Sequence, residues 1–237
     1  MIPIASALLP LVLQASPSYW GSYSHYIQSK HDAAFVNRTS VFSATSFSLS
    51  DLGGGPESPK WFLSNATASS VDGALRLSSD AWGLNSSVTG PKYGTLWFGQ
   101  KLPLDGVAVE WTYSFPDVLN AHDMNWWFPC PVAKNTVYSD FGTSSPFFVW
   151  GANGWGGRLS GLEISDGGST LTEAALPQPG VFHSALYYSK GTEQFFFLDN
   201  RLVMSYSGRK LNTTSGYFAF SVFESTVLLG AVNVYLL

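Results

Sequence analysis

Cysteine is almost missing from this chain: Cys130 is the only one in 237 residues, which excludes an internal disulfide. Flanked by Phe128, Pro129 and Pro131, it reads as a small buried hydrophobe. A nucleophilic thiol would need a base, and His122, eight residues away along an extended chain, is roughly 26 Å off. Histidine is sparse as well. His25, His31, His122 and His183 are scattered, so zinc-ligand spacing is missing and no metal chemistry is expected, while a structural calcium on carbonyl and Asp oxygens would leave no readable spacing. Charged residues make up only 12%, with 12 Lys and Arg and a net charge of −4. No basic run could neutralise a row of phosphates, which argues against a nucleic-acid partner. No phosphate loop or dinucleotide fingerprint is found, and no cofactor is expected. Helical periodicity is lacking over any long window. No apolar run is long enough to span a bilayer.

Apolar and aromatic surface is plentiful. Hydrophobic residues reach 45% and aromatics 16%, including nine Trp, enough to bury a large core and to exclude general disorder. The length suits one generous β-domain. At the start, Ile2 to Leu13 is an apolar run followed by Gln14, Ala15 and Ser16, which reads as a signal peptide over residues 1–16. Residues 17–237 then form a single domain. Four Asn-X-Ser/Thr sequons, at Asn37, Asn65, Asn85 and Asn212, agree with a secreted or lumenal, N-glycosylated protein.

Short β-rich runs recur between Gly, Pro, Asn, Asp and Ser clusters, the mark of an all-β domain. In "GVAVEWTYSF", Val107, Val109, Trp111, Tyr113 and Phe115 share one face, with Ala108, Glu110, Thr112 and Ser114 on the other. Ser189 to Thr192 and Asp199-Asn200 read as hairpin turns. "DLGGGPESP", "GANGWGGR" and "LPQPG" read as loops, none of them an interdomain linker.

The order of these elements resembles the concanavalin A-like lectin/glucanase jelly roll. The likeness runs over about residues 60–237 and is carried by "LWFGQKLPLDGVAVEWTYSF", "GLEISDG", "FHSALYYSKGTEQFFFLDNRLVMSYSG" and "GYFAFSVFESTVLLGAVNVYLL". It implies a two-sheet antiparallel β-sandwich. Laminarinase-type glucanases of this superfamily carry Glu-x-Asp-x-x-Glu on one strand. The resemblance places Glu163 at the first carboxylate, but Ser165 and Gly168 stand where the Asp and the acid/base Glu belong, and Asp166 has the wrong parity. Jelly-roll alginate lyases use a Tyr-x-Lys strand. Tyr188, Lys190 and Gln194 are similar in type, with spacing off by one beside a turn glycine, and a one-residue slip reverses the faces. His183 and Tyr187 share a parity and form a candidate base and acid.

The stretch "NAHDMNWWFPCPV" carries the richest mixture. In an extended chain His122, Met124, Trp126 and Phe128 share one face and read as core. Asp123, Asn125 and Trp127 share the other, where an indole for stacking beside orienting polar groups suits a sugar or another amphipathic ligand. On this reading Trp127 carries ligand contact and little stability, and Trp126 the reverse. Trp155, in a glycine-rich loop, and Arg158 at its end join the ligand-binding set. Tyr138, Asp140 and Trp150 adjoin it. Two functions remain open beside a third reading, a purely structural surface protein. One is saccharide binding in an aromatic-lined concave cleft, with or without lyase or hydrolase activity. The other is a secreted cyclase or isomerase acting on a hydrophobic small molecule, which needs a dry, shaped pocket and no paired carboxylates.

Overall fold

The computed structural model describes residues 38–79, 93–116, 123–130, 148–153, 158–161, 172–175, 180–191, 193–199, 201–207, 214–223 and 225–237. Strands dominate them. The first half of the chain supplies β1 (Thr39–Ala44), β2 (Trp61–Ser64), β3 (Ala66–Val71), β4 (Ala74–Ser79), β5 (Tyr93–Phe98), β6 (Leu102–Pro103), β7 (Val107–Ser114) and β8 (Asp123–Cys130). The second half supplies β9 (Phe148–Asn153), β10 (Arg158–Gly161), β11 (Thr172–Ala175), β12 (His183–Lys190), β13 (Glu193–Leu198), β14 (Arg201–Ser207), β15 (Ser215–Phe223) and β16 (Thr226–Leu236). One helical turn, Leu49–Asp51, precedes β2.

The strands form two eight-stranded sheets. The first runs β14-β13-β12-β7-β16-β4-β3, with β1 also on β16. The second runs β11-β10-β9-β8-β15-β5-β2, with β6 also on β15. Every strand pairing among the described residues is antiparallel, including the long-range partnerships of β16 with β7 and β15 with β8. This is the antiparallel β-sandwich read from the sequence.

Alternation explains the packing. Val107, Val109, Trp111, Tyr113 and Phe115 enter the inter-sheet core, where they meet Met124, Trp126 and Phe128 of the second sheet. Trp126 stacks on Phe218 (5.9 Å, 12°) and on Phe196 of the opposite sheet (5.4 Å, 27°). Trp61 stacks on Phe220 at 5.5 Å and 16°. Such pairs add to the large area that each ring removes from water. The outer faces are apolar too. Ala108, Leu186, Tyr188, Phe195 and Phe197 cluster outside the first sheet. Trp97, Trp127, Cys130, Tyr217 and Ala219 cluster outside the second, with Phe62 packed against them.

Both hairpin turns lie where their residue types point. Lys190 pairs with Glu193 across a turn holding Gly191 at φ 62°, and Leu198 pairs with Arg201 across a turn holding Asp199 at φ 45°. Lys190 therefore ends a hairpin strand. "DLGGGPESP" is more than a loop. It folds into a strap against the second sheet, with Glu57 N–H donating to Gly99 O (2.7 Å) and Gly99 N–H donating to Lys60 O (3.0 Å). A Cβ on Gly99 would collide with the carbonyl oxygens of Gly55 and Ser58, so only glycine permits that approach.

Candidate functional site

The outer face of the second sheet is organised in cross-strand rows. One row begins Ser64–Thr95–Ser221–Asn125, each residue opposite the next on a neighbouring strand. Its register continues through Gly151 and Ser160 to Glu173. Two residues along each strand lies a second row, Phe62–Trp97–Ala219–Trp127, continuing in register to Val149. A polar stripe thus runs beside an aromatic one. Strand pairing produces this order, because positions of equal parity fall on one face and register aligns them across strands.

Asn125 and Trp127 sit on this face, while Met124, Trp126 and Phe128 point into the core. Trp127 Nε1–H donates to Ser221 Oγ at 2.6 Å. The side-chain Nδ2 of Asn125 is buried without a hydrogen-bond partner among the described residues. The face is not open: Trp97 is 0%, Ser221 1%, Trp127 4% and Asn125 6% exposed. Trp127 therefore carries packing as well as any ligand contact, unlike the solvent-facing plate that alternation alone suggests. Period-two patterning assigns a side to the ring and leaves open what covers that side.

The strap adds a polar rim. Tyr217 Oη donates to Glu57 Oε1 at 2.7 Å, and Lys101 Nζ lies 5.3 Å from the centre of the Tyr217 ring. Burial, then the hydrogen bond and charge of Glu57, push the Tyr217 phenol up to about 12. Cys130 packs in the same cluster, and burial pushes its thiol well up, which fits an inert hydrophobe.

The remaining site residues fall in several places. Asp123 opposes Phe223 on β15, and Arg158 opposes Asn153 and Ala175, so backbone register sets both near this face. Glu163, Trp155, Tyr138 and Asp140 lie outside the described residues. His183 and Tyr187 are on the other sheet, four positions apart on β12 and so about 13 Å from each other. Tyr187 is in the inter-sheet core against Trp126 (4.8 Å) and Phe128 (5.5 Å), and burial raises its pKa. The partner of His183 is Asp199, with Nδ1 2.7 Å from Oδ2. The same carboxylate accepts from the Ser184 N–H at 2.9 Å. Asp199 thereby anchors its own hairpin turn. Asn65 lies between β2 and β3 with φ 52°, whereas Asn37, Asn85 and Asn212 lie outside the described residues.

Ser221, Thr95, Trp97 and Tyr217 complete the face and escaped the sequence reading. The signal was present in "GYFAFSVF", where Tyr217, Ala219 and Ser221 alternate with Phe218, Phe220 and Val222. Among the described residues, no three His, Cys, Asp or Glu side chains lie close enough together to hold a metal ion. No helix among them is long and apolar enough to cross a membrane.

No protein family matches the chain, and no curated protein is similar to it in sequence. Similar solved structures are numerous. A Bacillus subtilis protein of unknown function with a galectin-like fold has a TM-score of 0.59 at 13% identity, covering 84% of this chain and 97% of that one. The exoplasmic/lumenal domain of VIP36 in its Ca2+-bound form scores 0.57 at 13% identity, covering 84% and 90%. The carbohydrate recognition domain of Emp46p scores 0.53 at 15% identity, covering 81% and 98%. The fold is the concanavalin A-like, galectin-like sandwich.

Proposed function

We propose that this protein binds a saccharide on the outer face of its second sheet, in a cleft bounded by the aromatic row and the strap. The observation that carries the reading is the polar row running beside Trp97 and Trp127, with the buried Asn125 Nδ2 unpaired among the described residues. Sugars need this combination, since their C–H faces rest on rings while their hydroxyls exchange hydrogen bonds with amides and hydroxyls. The VIP36 domain, similar in fold, has been solved with Man3GlcNAc and with Man. Asn125 and Trp127 are the central contacts on this reading, with Asp123, Arg158 and Trp155 extending the site. Glycan-array binding by the full chain tests it. Retention of neutral glycans is expected, weakened at least tenfold in Asn125→Ala. No glycan retained above background would end the reading.

The near-complete burial of Trp97, Trp127 and Ser221 favours a second reading. It is an enclosed site for a hydrophobic small molecule, cyclised or isomerised by a shaped, dry pocket. A closed site admits a compact ligand more readily than a polymer. Glu163→Gln separates the chemistries. Loss of turnover with an intact fold points to hydrolysis, and activity kept within a few-fold removes the glucanase mechanism. We place the protein in the secretory pathway, with processing near Ala15 to Pro17 and sugars at the sequons. Intact mass from a eukaryotic secretory host tests this, and an unprocessed, sugar-free product would overturn it.

A further inference from the structure

We propose that the ligand meets the second sheet through an uncharged acceptor oxygen, held jointly by Asn125 Nδ2 and the Ser221 hydroxyl. The inference rests on the ligand reading above and deepens it. Asn125 and Ser221 are direct cross-strand partners of equal parity, so their side chains leave the same face from Cβ atoms about 5 Å apart, within reach of one ligand atom. Ser221 Oγ already accepts the Trp127 Nε1–H at 2.6 Å. A hydroxyl engaged as an acceptor still has its proton to give, so Trp127 positions Ser221 as a donor. The Asn125 Nδ2 group supplies a second donor, buried and unpaired among the described residues.

Two neighbouring donors beside an indole wall are completed by an acceptor. The Asn125 donor, left unsatisfied, costs the free protein stability that a ligand oxygen would restore. Charge decides which oxygen. Ser64, Thr95, Ser221 and Asn125 are all uncharged and at most 8% exposed. A carboxylate placed there would lose its hydration with no cation in the row to offset the loss. A hydroxyl, ring or carbonyl oxygen loses far less on burial, and two hydrogen-bond donors offset that loss. The pair is also the minimal arrangement for stabilising charge that develops on a carbonyl oxygen, so the same geometry serves binding or turnover.

The test uses three probes on the full chain: methyl mannoside, cyclohexanone and cyclohexanecarboxylate. The readout is the Asn125 side-chain amide signal in nitrogen-15 NMR, identified by its disappearance in Asn125→Asp. Cyclohexanone is expected to move that signal and the carboxylate to leave it in place. Asn125→Asp and Ser221→Ala should each weaken cyclohexanone binding roughly tenfold. Ser221→Ala is the milder change and keeps the test usable should Asn125→Asp fold poorly. Tighter binding of the carboxylate, no movement with cyclohexanone, or indifference to both variants would overturn the inference. Mannoside binding that ignores both variants leaves the saccharide reading standing and removes this one. A response to cyclohexanone with none to the mannoside does the reverse.

Discussion

Tyr217 and Glu57 meet at 2.7 Å across the rim of the second sheet, and their meeting has a pH signature. Burial and the neighbouring Glu57 push the phenol up to about 12 in the folded protein, against an ordinary 10.0. Between those values the unfolded chain has lost a proton that the folded protein keeps, so stability falls as pH rises from about 10 to about 12. Below pH 10 this contribution is fully present and constant. Tyr217→Phe should make that part of a urea-midpoint profile shallower by one phenol's share, while buried Tyr187 and Tyr113 keep theirs, and an unchanged slope would refute the coupling. The neighbouring tryptophans make a second test. Trp126→Ala removes a ring held between Phe196 and Phe218 and should cost about 3–5 kcal/mol in unfolding free energy. Trp127→Phe keeps most of the ring but orphans Ser221 Oγ, and should cost about 1–3 kcal/mol. Alternation in "MNWWF" made the two sides legible. It could not reveal the Trp127–Ser221 bond, which joins residues 94 positions apart.

At the scale of elements, local chemistry was readable and distant coverage was not. The β12–β13 and β13–β14 hairpins were marked by Gly191 and Asp199, residues that tolerate positive φ. β3, "ATASSV", carries only small apolar side chains and has no buried residue, alternating between half-buried and exposed positions over most of its length, so its strand character comes from pairing with β4. The strap was legible only as a glycine- and proline-rich break. Its seat depends on Gly99, which stands beyond β5 rather than in the strap itself. Gly99→Ala should cost about 1–3 kcal/mol, because backbone oxygens cannot move aside as a flexible side chain can. It should also weaken the Tyr217–Glu57 coupling. Measured together, the urea midpoint and its pH slope separate a displaced strap from general destabilisation. A variant as stable as the parent would mean that the strap stands off the sheet.

Over the whole molecule, the sandwich class followed from strand patterning, whereas the strand order did not, since it is set by pairings distant in sequence. β16 is the clearest case. It lies between β7 and β4 and also carries β1, so Leu236 faces both Thr39 and Val107. Removing residues 226–237 should take a partner from three strands at once and abolish cooperative unfolding, while a cut in the exposed stretch around Gly180 and Val181 should be tolerated. Circular dichroism and denaturant titration of both forms would decide, and a truncated chain that still melts cooperatively would refute the claim. That central place also sets a schedule. A chain growing from its N-terminus has β1, β4 and β7 in hand long before the strand that joins them exists. Until β16 arrives, those strands wait with unpaired edges and bare aromatic faces, the condition in which β-rich chains stick to one another. The two parts of the first sheet, β3–β4 and β7–β12–β13–β14, are joined to each other and to β1 in one late step, and the danger to this protein lies in the interval before it.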